Sequence, residues 1–196
     1  MTKSKIPLRT MVVLSILVAL TTLRIIPLGM PLSFPEMSGH LTQRWLAFVL
    51  HIGGASIALA LGAVQFFAQF RAKNPTVHRW VGRIYVLSIL TAGGAGFVVA
   101  LGAAGGIIAS VGFGLLAIFW VGVTVNAARL AMARRFADHR RWMIRSFALT
   151  FAAVTLRLYL LGFIGAGFSY TEASIYLAWM CWVPNFLVVE WFLRRS

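Results

Sequence analysis

The chain has 196 residues, of which 60% are hydrophobic and 11% charged, with a formal net charge of +14 and a mean hydropathy of +0.87. Soluble domains carry about a quarter charged residues, and here the apolar residues come in long blocks, which excludes a soluble core and indicates transmembrane helices. The basic residues gather at the ends of those blocks without a base-reading motif, so the charge points to membrane lipids and excludes a nucleic-acid partner.

In chain order, a basic start (Lys3, Lys5, Arg9) precedes an apolar run from Met11 to Leu23. Such a pattern resembles a signal peptide. Thr21-Thr22-Leu23-Arg24 is a poor cleavage site, however, so an uncleaved first helix is expected over 10–28. The stretch 29–44 carries Pro31, Pro35 and Gly39 and reads as a loop with little regular structure. Five further spans are expected over 45–70, 80–103, 107–132, 142–166 and 173–193, each near or above the ~20 residues a bilayer requires. The expected architecture is an all-α bundle of six transmembrane helices forming a single domain, 1–196. Short connections make consecutive helices antiparallel neighbours. Cys181 lies in an apolar run and is the sole cysteine, so no intrachain disulfide or Cys-rich metal site is available.

Lys3, Lys5, Arg9, Arg71, Lys73, Arg79, Arg134, Arg135, Arg140, Arg141, Arg194 and Arg195 fall on one side; Arg44 stands on the other. The positive-inside rule then puts both termini in the cytoplasm, as expected of a multi-pass bacterial inner-membrane protein. Trp45, Trp80, Trp142 and Trp191 fall at the expected interfaces.

The segment beginning His78-Arg79-Trp80 returns as His139-Arg140-Arg141-Trp142, and from the tryptophan onward both read W-x-x-R-x-[YF]-x-L. Thirteen residues before each histidine stands an amide, Gln65 or Asn126. Spans 2–3 and 4–5 therefore read either as a parallel duplication about an axis along the membrane normal or as convergence at two inner interfaces. His51 has no twin, since Gly112 occupies the matching position.

Ionisable groups inside spans usually face the bundle and have partners, so the few here are informative. Ser146, Thr150 and Arg157 share a face of the fifth span with His139 if that helix is unbroken. Helical rise puts Arg157 roughly 22 Å above Trp142, and His51 roughly 9 Å below Trp45, so the two should share a level. Arg24 and Tyr176 can join them. Below His51 runs a seam of small residues, Gly54, Ala55, Ala58 and Gly62, ending at Gln65. This outer cluster is cationic without a carboxylate and suits an anionic or carbonyl-bearing ligand; alternatively, its arginines snorkel and His51 bonds a backbone carbonyl. The inner cluster is His78, Arg83, His139, Arg145, Asn126 and Glu190. Glu190 is expected to pair with Arg83 or Arg145, and Asp138 is placed to orient His139. Asn185 follows Pro184, where a kink is expected.

G-x-x-Q (Gly62–Gln65), H-R-W-x-G-R-x-Y (His78–Tyr85), the long segment from His139 to Arg157, and W-V-P-N-x-x-x-x-E (Trp182–Glu190) together resemble the predicted bacterial membrane-protein family called domain of unknown function 2306. The resemblance covers most of the chain from His51 onward. It implies a multi-span inner-membrane protein without an assigned activity, and marks His51, Gln65, His78, Arg83, His139, Trp142, Arg145, Arg157, Asn185 and Glu190.

Three functions compete. Histidines in a small helical bundle, with arginines able to meet propionates, suit a redox protein holding b-type haem and serving quinone. His78 and His139 would be the axial pair, with His51 and His40 as a second one, and haem iron would be the metal. Against this, no helix carries two histidines about fourteen residues apart; His51 meets Gln65 there. The second is a small-molecule or anion transporter working at the Arg157–His51 level. The third is an accessory or assembly subunit of a larger membrane complex. Six helices would need a homodimer for the transporter reading. Hydrolase chemistry has no triad or carboxylate pair to rest on.

Overall fold

A computed structural model describes residues 6–195; Lys3 and Lys5 lie outside the described residues. The helices are α1 (Ile6–Thr21), α2 (Ile25–Ser33), α3 (Ser38–Gln43), α4 (Trp45–Val64), α5 (Ala68–Lys73), α6 (Pro75–Ala100), α7 (Gly106–Met132), α8 (Phe136–Thr150), α9 (Ala152–Gly165), α10 (Tyr170–Met180) and α11 (Val183–Arg195). Among the described residues there is no strand. Taken with their continuations, six of these units are long and apolar enough to cross a membrane: Leu8–Ser33, Trp45–Val64, Pro75–Ala100, Gly106–Met132, Phe136–Gly165 and Tyr170–Arg195. Their outward faces carry large apolar side chains such as Ile26, Leu87, Ile107, Ile118 and Leu161. Such a surface would drive aggregation in water and is the natural one in lipid.

The structure corrects several expected boundaries. The stretch 29–44 is helical: α2 continues through a kink at Gly29 (φ 70°), and a short 3-10 turn, Pro35–Met37, leads into α3. Backbone groups this close to the apolar layer must find partners within the chain, and Phe34 N to Met30 O and Arg44 N to His40 O are two of those bonds. The second span ends at Val64, not at residue 70. There the chain turns, and Arg71 donates to the Gln65 carbonyl (3.2 Å). The third begins at Pro75, earlier than position 80, because a proline at a helix start loses no intrahelical bond. His78 is therefore helical. The last span breaks at Cys181–Trp182 ahead of Pro184, as expected of a proline that cannot donate. The Asn185 amide donates to the Cys181 carbonyl (3.0 Å), and Thr155 Oγ1 donates to it too (2.5 Å).

The core lies where α4, α6, α7 and α8 meet, and small residues set its closeness. A Cβ at Gly62 would stand 2.6 Å from the Tyr85 ring and 2.7 Å from that of Phe147; one at Gly54 would stand 2.9 Å from the Ser88 carbonyl. In lipid, tight approach and hydrogen bonds replace the hydrophobic drive between helices. Both are present. The buried Tyr85 hydroxyl bonds Ser146 Oγ and Thr150 Oγ1 (both 2.9 Å), Trp120 Nε1 donates to Thr150 Oγ1 (2.9 Å), and Thr124 Oγ1 bonds Ser146 Oγ (2.7 Å). This network ties α6, α7 and α8 together at mid-span.

Candidate functional site

Polar chemistry concentrates at the two ends of the bundle. The basic end holds the first turns of α6 and α8. His78 Nδ1 bonds Gln65 Oε1, and Gln65 Nε2 donates back to the His78 carbonyl (3.1 Å). The second bond sets the amide's orientation, so Oε1 is the acceptor and Nδ1 carries the proton. His139 Nδ1 donates to the Ala127 carbonyl at the end of α7 (2.8 Å). His51, at the other end, donates from Nδ1 to the Ala92 carbonyl (2.9 Å). In each ring the Nε2 lone pair is thereby left for another partner. His78 and His139 lie within electrostatic range of each other, as does Arg71 of His78. Asp138 does not orient His139; it binds Arg135 (2.7 Å). Among the described residues no three His, Cys, Asp or Glu side chains gather as a metal-ion site.

The repeated W-x-x-R element has a physical content. One helical turn puts Arg83 over the Trp80 ring (4.7 Å) and Arg145 over the Trp142 ring (5.0 Å). Arg145 also grips Glu190 of α11 with two hydrogen bonds, Nε to Oε1 and Nη2 to Oε2, so Arg145 is the partner and Arg83 is not. Beside this pair a cleft of about 860 Å³ opens between α7, α8 and α11. Phe119, Trp142, Phe186 and Trp191 give it aromatic walls, while Asn126, Arg145 and Glu190 supply its polar side. Asn126 precedes Ala127, which holds His139, and Trp142 lies one turn beyond His139, so cleft and histidine are neighbours. The Asn126 side chain makes no hydrogen bond among the described residues.

The far end gathers Arg24, His40, His51 and Arg157. Arg157 lies in electrostatic range of Arg24, His51 of Arg157, and His40 of His51. Arg157 donates to the Ala153 carbonyl (2.7 Å); Arg24 donates to the Ser33 carbonyl (2.5 Å) and sits over the Phe34 ring (4.9 Å). His40 is 7% exposed and stacks on Phe48. Burial, then the positive charges of Arg44 and His51, hold its pKa below the usual 6.5. Tyr176 stays out of this cluster and stacks on Phe163 (5.5 Å). Asn185 is likewise occupied, on the Cys181 and Ala148 carbonyls and Thr155 at the α10–α11 break.

Sequence reasoning found Ser146 and Thr150 but missed Tyr85, Trp120 and Thr124, which complete their network. The available signal was the tyrosine at the [YF] position of the repeat. Its counterpart Phe147 packs against the same glycine, Gly62.

The family described as Predicted membrane protein (DUF2306) matches residues 48–193. No curated protein and no solved structure matches the chain. The match spans well over half of the sequence, so the chain belongs to this family, whose description states membrane residence and no activity.

Proposed function

We propose that this member of the DUF2306 family is a membrane redox protein in which His78 and His139 hold a b-type haem and a quinone occupies the adjacent cleft. One observation carries the reading. Two imidazoles from different helices come within electrostatic range, each with Nδ1 donating to an oxygen and Nε2 left with its lone pair. That is the arrangement a ligating histidine takes, because the outer hydrogen bond sets tautomer and ring orientation and raises basicity. Haem when bound supplies one-electron chemistry. The chain's own part is to orient the ligands through Gln65 and Ala127 and to offer cations to propionates, Arg71 being within electrostatic range of His78. The cleft supports the second half of the reading. Its aromatic walls suit a flat ring, the Asn126 amide can donate to a quinone carbonyl, and the Arg145 charge is already balanced by Glu190, which favours a neutral head over an anionic one.

The test is a visible spectrum of protein purified in mild detergent from haem-replete cells, first oxidised and then reduced with dithionite. A Soret band, with bands that sharpen on reduction and vanish in His78→Ala and in His139→Ala, is the expected result. A spectrum that survives both substitutions overturns the ligand assignment.

A further inference from the structure

Arg24 and Arg157 both belong to spanning segments, where a charged side chain ordinarily has a partner. Each guanidinium offers five N–H donors, and among the described residues each makes a single hydrogen bond, to a backbone carbonyl. No carboxylate answers them. Asp138 is bound by Arg135, Glu190 by Arg145, and Glu172 caps α10 through Ser169. Glu36 forms no ion pair among the described residues and lines a separate cleft with His40 and Arg44. The two arginines instead lie within electrostatic range of each other, as does His51 of Arg157.

A second observation falls in the same place. Among the described residues, the buried side-chain atoms without a hydrogen-bond partner are Ser33 Oγ and His40 Nδ1. Ser33 stands beside Arg24, whose guanidinium its carbonyl receives, whereas His40 belongs to the separate cleft with Glu36. Native proteins rarely bury such atoms unpaired unless a water, ion or ligand completes them. Snorkelling accounts for an arginine that reaches the interface alone. It does not account for two that lie within electrostatic range of each other, nor for the unpartnered Ser33 hydroxyl buried beside Arg24.

We propose that this end of the bundle binds an oxyanion, the phosphate or carboxylate group of a ligand, bridging Arg24 and Arg157. The planar fork of guanidinium matches two oxygens of such a group, and charge-assisted bonds of this kind are about twice as strong as neutral ones. The anion relieves the repulsion between the two cations and takes up donors that the protein leaves unused. It arrives either as a free anion or as the head of an anionic lipid. The proposal stands on residues remote from His78 and His139 and is independent of the haem reading.

Thermal unfolding in phosphatidylcholine nanodiscs tests it in two arms. The first titrates inorganic phosphate against chloride at matched ionic strength. The second replaces part of the lipid with phosphatidylglycerol and omits phosphate. Stabilisation in the first arm identifies a soluble oxyanion; stabilisation in the second alone identifies a lipid headgroup. Either supports the site if Arg157→Gln weakens the apparent affinity roughly tenfold or more while Arg79→Gln, at the opposite end, leaves it unchanged. Arg24→Gln provides the same reading where Arg157→Gln does not fold. No stabilisation in either arm, or stabilisation that persists in the Arg157 and Arg24 variants, overturns the proposal.

Discussion

At the basic end the histidines, Gln65, Arg145 and Glu190 are answered within the protein and the Asn126 amide is not, whereas at the far end the two arginines and two buried polar atoms are left short of partners among the described residues. Glu190 takes Arg145 with two bonds, Gln65 and His78 clasp each other, and Ala127 holds His139. At the far end Arg24 lies in electrostatic range of Arg157, and Ser33 Oγ and His40 Nδ1 are buried without partners among the described residues. Both ends rest on the same packed middle, where Tyr85 joins α6 to α8. The difference is therefore one of local completeness rather than of packing. A group whose outer hydrogen bonds are satisfied is oriented for ligation; a group without partners waits for a ligand that supplies them.

The largest expected effect separates the histidines. His51→Ala should keep the haem spectrum that His78→Ala abolishes. Equal loss in both would place the cofactor at the wrong end or at both ends. Next come the arginines. Glu190→Gln leaves Arg145 uncompensated and should lower unfolding free energy by about 1–3 kcal/mol. In the absence of phosphate and anionic lipid, Arg157→Gln removes a repelling charge and should be neutral or stabilising. Denaturant unfolding of the two variants side by side reads this contrast, and a larger loss at Arg157 would break it.

A smaller effect belongs to the cleft. Asn126→Leu keeps its apolar walls and removes the free amide, so quinol-driven reduction should slow roughly tenfold. Stopped-flow absorbance measures it, with haem content unchanged. The smallest concerns His40, whose native pKa lies below the unfolded value of 6.5. As pH falls through 6.5 the unfolded chain binds the proton first, so stability declines until the lower native value is passed. His40→Gln should flatten that slope in melts taken across this window.

The sequence made the spans, the basic end and the Arg145–Glu190 pair legible because each follows from local rules: apolar block length, charge at block ends, and a lone acid seeking a cation. The kink at Pro184 was legible for the same reason. The shared level of Arg157 and His51 followed from helical rise, and Arg24 from its place near the outer end of the first span. What stayed hidden depends on which helix faces meet. Tyr85, Thr124 and Trp120 are isolated polar atoms in apolar runs, and their meeting with Ser146 and Thr150 is set by interhelical rotation. The helical course of 29–44 was masked by Pro31, Pro35 and Gly39, which locally read as breakers. Tyr176 shares the level of the far-end cluster but turns to Phe163 and Phe168.

The most direct measurement is haem content per chain, by pyridine haemochrome assay on monodisperse protein that is shown to be folded by its melting transition. The account predicts a single haem per chain, lost on substitution of either His78 or His139 and retained on substitution of His51. A folded, colourless protein that takes up no added haem would contradict it.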